Sequence, residues 1–408
     1  MGDGPVIAIV GGGIGGLAVA LALHQRGFRC DVYEQTPSLT DVGGGLNLSP
    51  NALKTFRMLD VEEEVIAAGF QDETQTVRNG ETAAILAQQS RRDGVMDKYG
   101  AGFLTVHRAD VQNILRARIP PERLHLGKSC VRLENMPETV RLTFADGSSV
   151  EADMAIGADG IHSAVRESLF GKQPPQFTGC MCFRGLVPVE EADNISGARD
   201  MTAWWGPHGH VIHYRVRGGS MINFVAHFDS DAWAEESWTR ECTKEEVLAT
   251  FADWHPDILK LIALGEKHYK WALYDRDPLP RWTAGRVTLL GDSAHPMLPY
   301  LGQGAAMALE DACLLARMME TGSADIPTLL QRYESVRRPR TTAVQLASRA
   351  RARQYHLASP LARMWRDVKI ALRRRFGKDK STLHADWIYR YDVAAAPLDK
   401  PTGFENAA

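Results

Sequence analysis

The sequence predicts an α/β protein with three parts: a parallel-sheet domain, an α+β domain built on an antiparallel sheet, and a C-terminal helical segment. Three observations support this fold class. An apolar strand runs through a glycine turn into a helix at the start, short strands alternate with polar turns over 176–280, and helical periodicity dominates from 326 onward. Strands alternating with helices favour a parallel sheet, whereas consecutive strands favour an antiparallel one.

The first unit is a strand, a glycine turn, a helix and a second strand. Val6–Val10 is apolar, Gly11–Gly16 has G-x-G-x-x-G spacing, Leu17–Gln25 follows a helical period, and a second strand ends at Glu34. In such a Rossmann-like unit the glycines admit a pyrophosphate at a helix N-terminus, and the acid binds ribose hydroxyls. The alternative is an ordinary glycine-rich turn. The complete unit predicts an ADP-containing cofactor held by Gly13, Gly15, Gly16 and Glu34.

Two later strands also end in glycine turns. Met154–Gly157 leads to Asp159 and a serine-capped helix, and Arg286–Leu290 leads to Asp292 and a glycine-rich helix start. Turns more than 100 residues apart that serve one ligand require a long ligand, so we expect a dinucleotide, FAD. An arginine just before a helix is either a pyrophosphate clamp or a solvated side chain. The further expected cofactor residues are Arg108, Asp159, Asp292, Gly302, Gly304 and Ala305.

Composition excludes several classes of protein. A chain of 408 residues is expected to form two or more cores. The net charge of −3 argues against nucleic-acid binding, and no apolar run is long enough to predict a membrane span. The six cysteines lack metal-binding spacing, so we expect free thiols, no metal site and a cytoplasmic location.

The glycine turns and the strand pattern also predict the domain boundaries. The expected FAD-binding domain is discontinuous and comprises residues 1–75, 100–175 and 281–325. The expected substrate domain comprises residues 76–99 and 176–280, and the helical segment comprises 326–408.

The C-terminal segment carries a proline and several large aromatic residues. Pro339 is expected to interrupt the helix that begins at Ile326. The aromatic residues supply apolar area that packs either on the body of the protein or against a second copy in a homodimer. They are Trp365, Trp387, Tyr389 and Tyr391.

One strand of the substrate domain carries groups suited to a phenol. Over His210–Val216, period-two alternation places His210, Ile212 and Tyr214 on one face and His213 on the other. An imidazole and a phenol on one face suit a hydroxyaromatic ligand. The alternative is a half-exposed strand with polar surface residues.

The three glycine segments resemble the fingerprints of the single-component flavin aromatic hydroxylases, the para-hydroxybenzoate hydroxylase-like family. The likeness spans nearly the whole chain. Tyr274–Pro278, Gly291–Ala312 and Asp386–Tyr391 carry a finer likeness to 3-hydroxybenzoate 6-hydroxylase, salicylate hydroxylase and 6-hydroxynicotinate 3-monooxygenase. The resemblance implies FAD, with Asp292 on the ribityl chain and Arg108 on the pyrophosphate.

The resemblance also implies a reaction. NADH or NADPH reduces the flavin, O₂ gives a C4a-hydroperoxide, and one oxygen atom is transferred to a small phenolic or hydroxypyridine carboxylic acid. His210 matches a catalytic histidine and Tyr214 a pocket tyrosine of 3-hydroxybenzoate 6-hydroxylase, and a general base with a pKa of about 6–7 fits deprotonation of the phenol. The other expected pocket residues are Asn47, Pro296 and Tyr300.

Three other functions share this scaffold. A halogenase is disfavoured because its W-x-W-x-I-P segment is absent. A reductase of the geranylgeranyl type needs an extended apolar lipid pocket. A non-catalytic flavin redox sensor needs the glycine turns but no paired histidine and tyrosine.

Overall fold

The computed structural model describes residues 4–38, 44–230, 241–322, 325–357, 359–376 and 385–405; for 353, 354, 371 and 373–376 only the backbone is described. The strands are β1 Val6–Val10, β2 Arg29–Glu34, β3 Gly45–Leu48, β4 Thr74–Asn79, β5 Ile85–Ser90, β6 Leu104–His107, β7 Leu124–Leu126, β8 Cys130–Asn135, β9 Val140–Phe144, β10 Ser149–Ala152, β11 Met154–Gly157, β12 Gln176–Pro188, β13 Met201–Gly206, β14 Gly209–Val216, β15 Met221–Asp229, β16 Glu241–Cys242, β17 His268–Asp275, β18 Thr283–Ala284 and β19 Val287–Leu289. The helices are α1 Ile14–His24, α2 Pro50–Met58, α3 Glu62–Ala68, α4 Val95–Tyr99, α5 Arg108–Ala117, α6 Ala164–Phe170, α7 Lys244–Thr250, α8 Pro256–Leu264, α9 Gly304–Glu320, α10 Ile326–Tyr355, α11 Pro360–Phe376 and α12 Asp386–Tyr389.

The first sheet has the order β18-β19-β11-β1-β2-β7 and is parallel except for β18. β1 is central and almost wholly buried, as its continuous apolar run predicts for a strand covered on both faces. The three glycine turns follow β1, β11 and β19, which are neighbours in this sheet. Their carboxyl ends therefore open at one edge, where α/β sheets bind their ligands.

The second sheet has the order β16-β17-β12-β15-β14-β13-β4-β5 and is antiparallel except where β13 pairs with β4. One face packs on α7 and α8 through a core that includes Phe183, Trp204 and Phe224. The hairpin of β14 and β15 turns at Gly218 and Gly219, whose φ angles of +62° and +92° favour glycine.

The C-terminal segment packs against both sheets, because α10 contacts α9 and β19 whereas α11 contacts β5. α10 runs unbroken for 30 residues with Pro339 inside it, so the expected interruption is wrong. Ion pairs made by Arg337 and Arg340 with Glu310 of α9 hold the helix on both sides of the proline. The aromatic residues of this segment lie in two environments. Trp387, Tyr389 and Tyr391 pack on the core, whereas Trp365 is 61% exposed.

Candidate active site

The first glycine turn has the shape needed to hold a phosphate. A Cβ added at Gly16 would lie 1.9 Å from the carbonyl oxygen of Gly11, so this position requires glycine, and one added at Gly15 would lie 2.8 Å from the side chain of Leu290, which would have to shift. A Cβ added at Gly13 would meet no protein atom within 4 Å. Gly13 is also the N-cap of α1 and caps it with no side chain. The turn therefore presents open space in front of the backbone N–H groups of a helix start.

Glu34 lies beside this turn at the end of β2. Its Oε2 accepts the N–H of Gly12 at 2.5 Å, and its Oε1 accepts the N–H and hydroxyl of Thr36 at 2.9 and 3.0 Å. The carboxylate is thereby oriented at the carboxyl edge of the sheet, where a ribose-binding acid is expected.

The two aspartates of the later turns have different surroundings. Asp159 Oδ2 accepts the N–H of Val165 at 3.1 Å, and its Oδ1 accepts the hydroxyls of Ser163 and Ser293. Asp159 therefore caps α6 and joins the second glycine turn to the third. Asp292 is exposed and accepts no hydrogen bond from the described residues.

Asp292 lies opposite the start of α9 in a cleft, where its side chain is exposed to solvent yet surrounded by protein atoms. These surrounding atoms desolvate the carboxylate and raise its pKa, while the charges of His295, Arg108 and Arg166 act to lower it. Its Oδ1 would lie 3.9 Å from a Cβ added at Gly304, the first residue of α9. An unpartnered carboxylate that faces a helix start fits a hydroxyl-bearing chain such as the ribityl group of FAD.

Arg108 begins α5, and its backbone N–H donates to the carbonyl of Gly44 at 3.0 Å. Its side chain is exposed, and no hydrogen bond or ion pair within the described ranges holds it. Its charge acts on Asp292. The guanidinium is therefore placed to reach a diphosphate in the same cleft.

The start of α9 is fixed by a buried polar cluster. Gln303 donates to the hydroxyl of Ser49 at 2.9 Å and accepts from Asn51 at 3.1 Å, and no side chain caps the helix. Gly302 has a φ of +63°, and a Cβ there would lie 3.6 Å from Asn47. Gly302, Gly304 and Ala305 thus form an open helix start beside Asn47.

His210 lies on the face of β14 opposite the helical core, surrounded by rings. Its imidazole stacks on that of His227 at 4.3 Å, and the rings of Tyr355 and Tyr300 lie 5.0 and 5.6 Å away. Burial, followed by the charges of His227 and His356, holds the pKa of His210 well below 6.5. The expected pKa of about 6–7 for this base is therefore wrong, because the pocket is too dry to favour an imidazolium.

Tyr214 lies on the same face, four residues further along β14. Its ring would be 2.5 Å from a Cβ at Gly45, and the Gly45 N–H donates to Asn223 at 2.9 Å. Burial raises the pKa of Tyr214, so the phenol stays protonated. Strand geometry separates the Cα atoms of His210 and Tyr214 by about 13 Å. His213 lies on the opposite face and accepts the Trp204 indole N–H at 3.0 Å.

The three other expected pocket residues are held by distant parts of the chain. The carbonyl of Pro296 accepts from Gln345 of α10 at 2.9 Å. Tyr300 is buried 5.7 Å from the ring of His227. Asn47 Oδ1 accepts from the buried Arg91 at 2.7 Å.

Sequence reasoning missed several residues that line this face. His227 pairs directly with His210, and the hairpin turn at Gly218–Gly219 fixes that register, so the glycine pair was a usable signal. No local signal points to Tyr355, His356 or Arg91, which reach the site only through the tertiary fold. Along the same face, beside Asn223, lies a cavity of about 250 Å³ lined by Arg184, Tyr269 and Lys267.

The fold and the site together define an FAD-binding flavoprotein. The family described as FAD binding domain matches residues 3–348. The chain is 36% identical over 394 residues to 3-amino-4-hydroxybenzoate 2-monooxygenase PtnB3 of Streptomyces platensis, covering 97% of each. It is also 36% identical over 398 residues to 6-hydroxynicotinate 3-monooxygenase of Bordetella bronchiseptica, again covering 97% of each. The structure titled salicylate hydroxylase substrate complex superposes with a TM-score of 0.80 and 30% identity, over 100% of this chain and 98% of that one.

The chain belongs to this FAD-binding family and is a flavoprotein aromatic hydroxylase. The predicted α/β class, FAD and monooxygenase activity are confirmed. Among the described residues, no helix has the length and apolar character needed to cross a membrane.

Proposed function

We propose that this enzyme hydroxylates a small phenolic or hydroxypyridine carboxylic acid with NADH or NADPH and O₂. The observation that carries the proposal is the face of β14, where a neutral His210 and a protonated Tyr214 lie at two ends of one surface beside the flavin-binding elements. The relatives named above act on aminohydroxybenzoate and hydroxynicotinate, which have this chemistry.

The residues of the cleft fit FAD. We assign the diphosphate to the turn at Gly13 and to Arg108, the ribose to Glu34, and the ribityl chain to Asp292. The open start of α9 would direct N–H groups toward the ring system, where they stabilise negative charge. When bound, FAD takes hydride from NAD(P)H and uses O₂ to supply the oxygen atom.

His210 has the role of general base in this proposal. Because burial keeps its imidazole neutral, a ring nitrogen has a lone pair ready to accept the phenolic proton. Ionisation of the phenol raises electron density at the ring carbons that receive oxygen, and a positioned base contributes about 10²–10⁴-fold to rate. Tyr214 would hold the far end of the substrate as a hydrogen-bond donor.

Of the arginines in this half of the chain, two are committed elsewhere. Arg215 donates to the carbonyl of Ala198 at 3.2 Å, and Arg217 pairs with Asp110 at 2.9 Å. Arg184 lines the cavity beside Asn223, and Arg91 donates to Asn47 on the same side of the sheet; we propose that one of these two arginines binds the substrate carboxylate.

The location and assembly are also proposals. We infer a cytoplasmic enzyme because none of the six cysteines forms a disulfide bond. We infer a homodimer from the exposed Trp365.

A substrate screen tests the proposed function. Salicylate, 3-hydroxybenzoate, 4-hydroxybenzoate, 6-hydroxynicotinate and 3-amino-4-hydroxybenzoate are each added to the FAD-loaded enzyme with NADH or NADPH, and products are identified by mass spectrometry. We expect at least one acid to stimulate NAD(P)H oxidation and to gain one oxygen atom. A reductase or a redox sensor would show neither effect, and that result would contradict the proposal.

A further inference from the structure

A chain of hydrogen bonds leads from His210 to another part of the molecule. His210 Nδ1 lies 3.0 Å from His356 Nε2, and His356 Nδ1 lies 2.5 Å from Asp229 Oδ1. The three residues come from β14, from the position just after α10, and from the last residue of β15. Both nitrogens of His356 are therefore used, one toward the pocket and one toward a carboxylate.

This path of hydrogen bonds runs from the interior of the protein to its surface. His210 is 5% exposed, the His356 side chain is 9% exposed, and the Asp229 side chain is 40% exposed. A proton that reaches Asp229 is therefore in contact with water, whereas a proton on His210 is not.

His210, at the inner end of this path, has one ring nitrogen open to a ligand. His210 Nε2 makes no hydrogen bond to any of the described residues, whereas its Nδ1 is held by His356. Stacking on His227 fixes the plane of the ring, with an interplanar angle of 8°. The imidazole is therefore oriented with one nitrogen bonded outward and the other available.

We propose that His356 and Asp229 are positioning residues that carry the substrate's phenolic proton from His210 to solvent. This inference rests on the proposed function. The phenolic O–H bond breaks as His210 Nε2–H forms, and His210 Nδ1–H breaks as His356 Nε2–H forms. His356 Nδ1–H then breaks as an O–H forms on Asp229, which releases the proton to water. Each imidazole gains and loses one proton, the phenolate oxygen keeps the electron pair, and nothing is oxidised or reduced.

The pocket needs such a path because His210 cannot store the proton. Burial and the two neighbouring histidines disfavour its charged form. The buried titratable groups that face the relay from packed elements are His227, whose pKa burial lowers to about 3, Tyr300 and Tyr355, whose pKa burial raises, and Cys180, whose pKa burial raises to about 12. None of these four groups carries a charge near pH 7, and at the exposed end His208 lies 3.7 Å from Asp229.

The same geometry argues against a metal ion at this place. Cys180, Asp229 and His356 place their ligand atoms within 4.8 Å of one another. However, the 2.5 Å between His356 Nδ1 and Asp229 Oδ1 is a hydrogen-bond distance. Two ligands that each bind zinc at about 2.0–2.2 Å in tetrahedral geometry lie further apart.

The test measures phenol ionisation without turnover. Oxidised FAD-loaded enzyme is mixed with 4-hydroxy-3-nitrobenzoate in a stopped-flow instrument, and the visible absorbance of the nitrophenolate is followed without NAD(P)H. We expect His356→Gln and Asp229→Asn each to slow ionisation on the order of 10-fold or more. The matched control is His208→Asn, because His208 Nδ1 lies 3.7 Å from Asp229 but is 64% exposed and does not contact His210. It should ionise the probe at the wild-type rate.

Chemical rescue separates relay from packing. His356→Ala should ionise the probe slowly, and added imidazole should restore the rate, because imidazole accepts a proton at one nitrogen and releases one from the other. 1-Methylimidazole fills the same space but has no N–H to release, so it should not restore the rate. Equal rescue by both compounds would overturn the relay.

Two further outcomes count against the relay. Unchanged ionisation in His356→Gln overturns it, as does a wild-type enzyme that leaves the probe protonated. The proposed function fails separately, when wild-type enzyme hydroxylates none of the screened acids.

Discussion

Replacing Arg337 with methionine tests the ion network beneath the Asp292 turn, which we propose binds the flavin. Arg337 Nε donates to Asp311 at 2.7 Å and its Nη1 to Glu310 at 2.9 Å, and all three side chains are fully buried. Asp311 also accepts the backbone N–H of Gly291 at 3.1 Å, one residue before Asp292. The turn that carries Asp292 therefore depends on Arg337 through Asp311.

The expected loss of stability depends on the hydrogen-bond partners that each carboxylate keeps when Arg337 is removed. Glu310 keeps Arg340, whose Nε and Nη2 donate to its two oxygens at 2.8 and 2.9 Å. Within the described part of the chain, Asp311 keeps His295 at 2.6 Å and the Gly291 N–H. Removing one partner of a buried ion pair costs about 3–5 kcal/mol, and because Glu310 stays paired we expect the lower end, about 3 kcal/mol.

The loss of unfolding free energy is measured by urea unfolding monitored through tryptophan fluorescence. FAD affinity should fall in the same variant. The matched control is Arg338→Met, because the neighbouring Arg338 is 40% exposed and lies 3.6 Å from Glu334. A helical i,i+4 pair whose arginine reaches solvent contributes about 0.3–0.5 kcal/mol, and Glu334 keeps the N–H groups of Trp282 and Thr283 when this arginine is removed. Equal losses in the two variants would refute the argument that the buried network supports the turn.

The remaining predictions concern the cofactor, the base and pH. Asp292→Ala should weaken FAD binding by about 10–150-fold, since charge-assisted bonds contribute about 1.5–3 kcal/mol, and a titration of apoprotein with FAD checks this. Gly13→Val should purify without flavin, because its side chain would fill the open space at the turn; a normal visible flavin spectrum would contradict that. His210→Ala should lose about 10²-fold in hydroxylation while still oxidising NAD(P)H, and His213→Ala, on the other face, should keep product formed per NAD(P)H near wild type. Stability to urea should fall as pH drops from 6.5 toward 3, because burial lowers the pKa of His213 and His227 to about 3 and only the unfolded chain takes up protons there; His227→Gln should make the fall shallower.

The glycine turns could be predicted because their constraints are local. Gly11 has a φ of +111°, and Gly16 packs against its carbonyl, so sequence spacing alone carries the geometry. The alternation of β14 is equally local, which is why its two faces could be assigned before the fold was known. The pairing of β14 with β15 joins residues further apart in the sequence, yet the Gly218–Gly219 turn between the two strands encodes it.

Other features depend on distant contacts. Pro339 removes one helical N–H and predicts a break, but the buried pairs of Arg337 and Arg340 outweigh that cost. The pKa of His210 depends on burial and on His356, which is 146 residues away. Neither residue's neighbourhood in sequence contains this information.

The distant contacts of Arg337 and His356 are both made by helix α10 and the residue that follows it. Near its middle, Arg337 supports the turn of Asp292, and further along Gln345 and Ser348 hold the carbonyls of Pro296 and Leu298 at 2.9 and 2.7 Å. His356, just after its last residue, contacts His210. A 30-residue helix is about 45 Å long, so one rigid element fixes the flavin-binding turn, the loop at the pocket and the proposed proton exit relative to one another. The C-terminal segment therefore supports the proposed active site through contacts with both the Asp292 turn and His210.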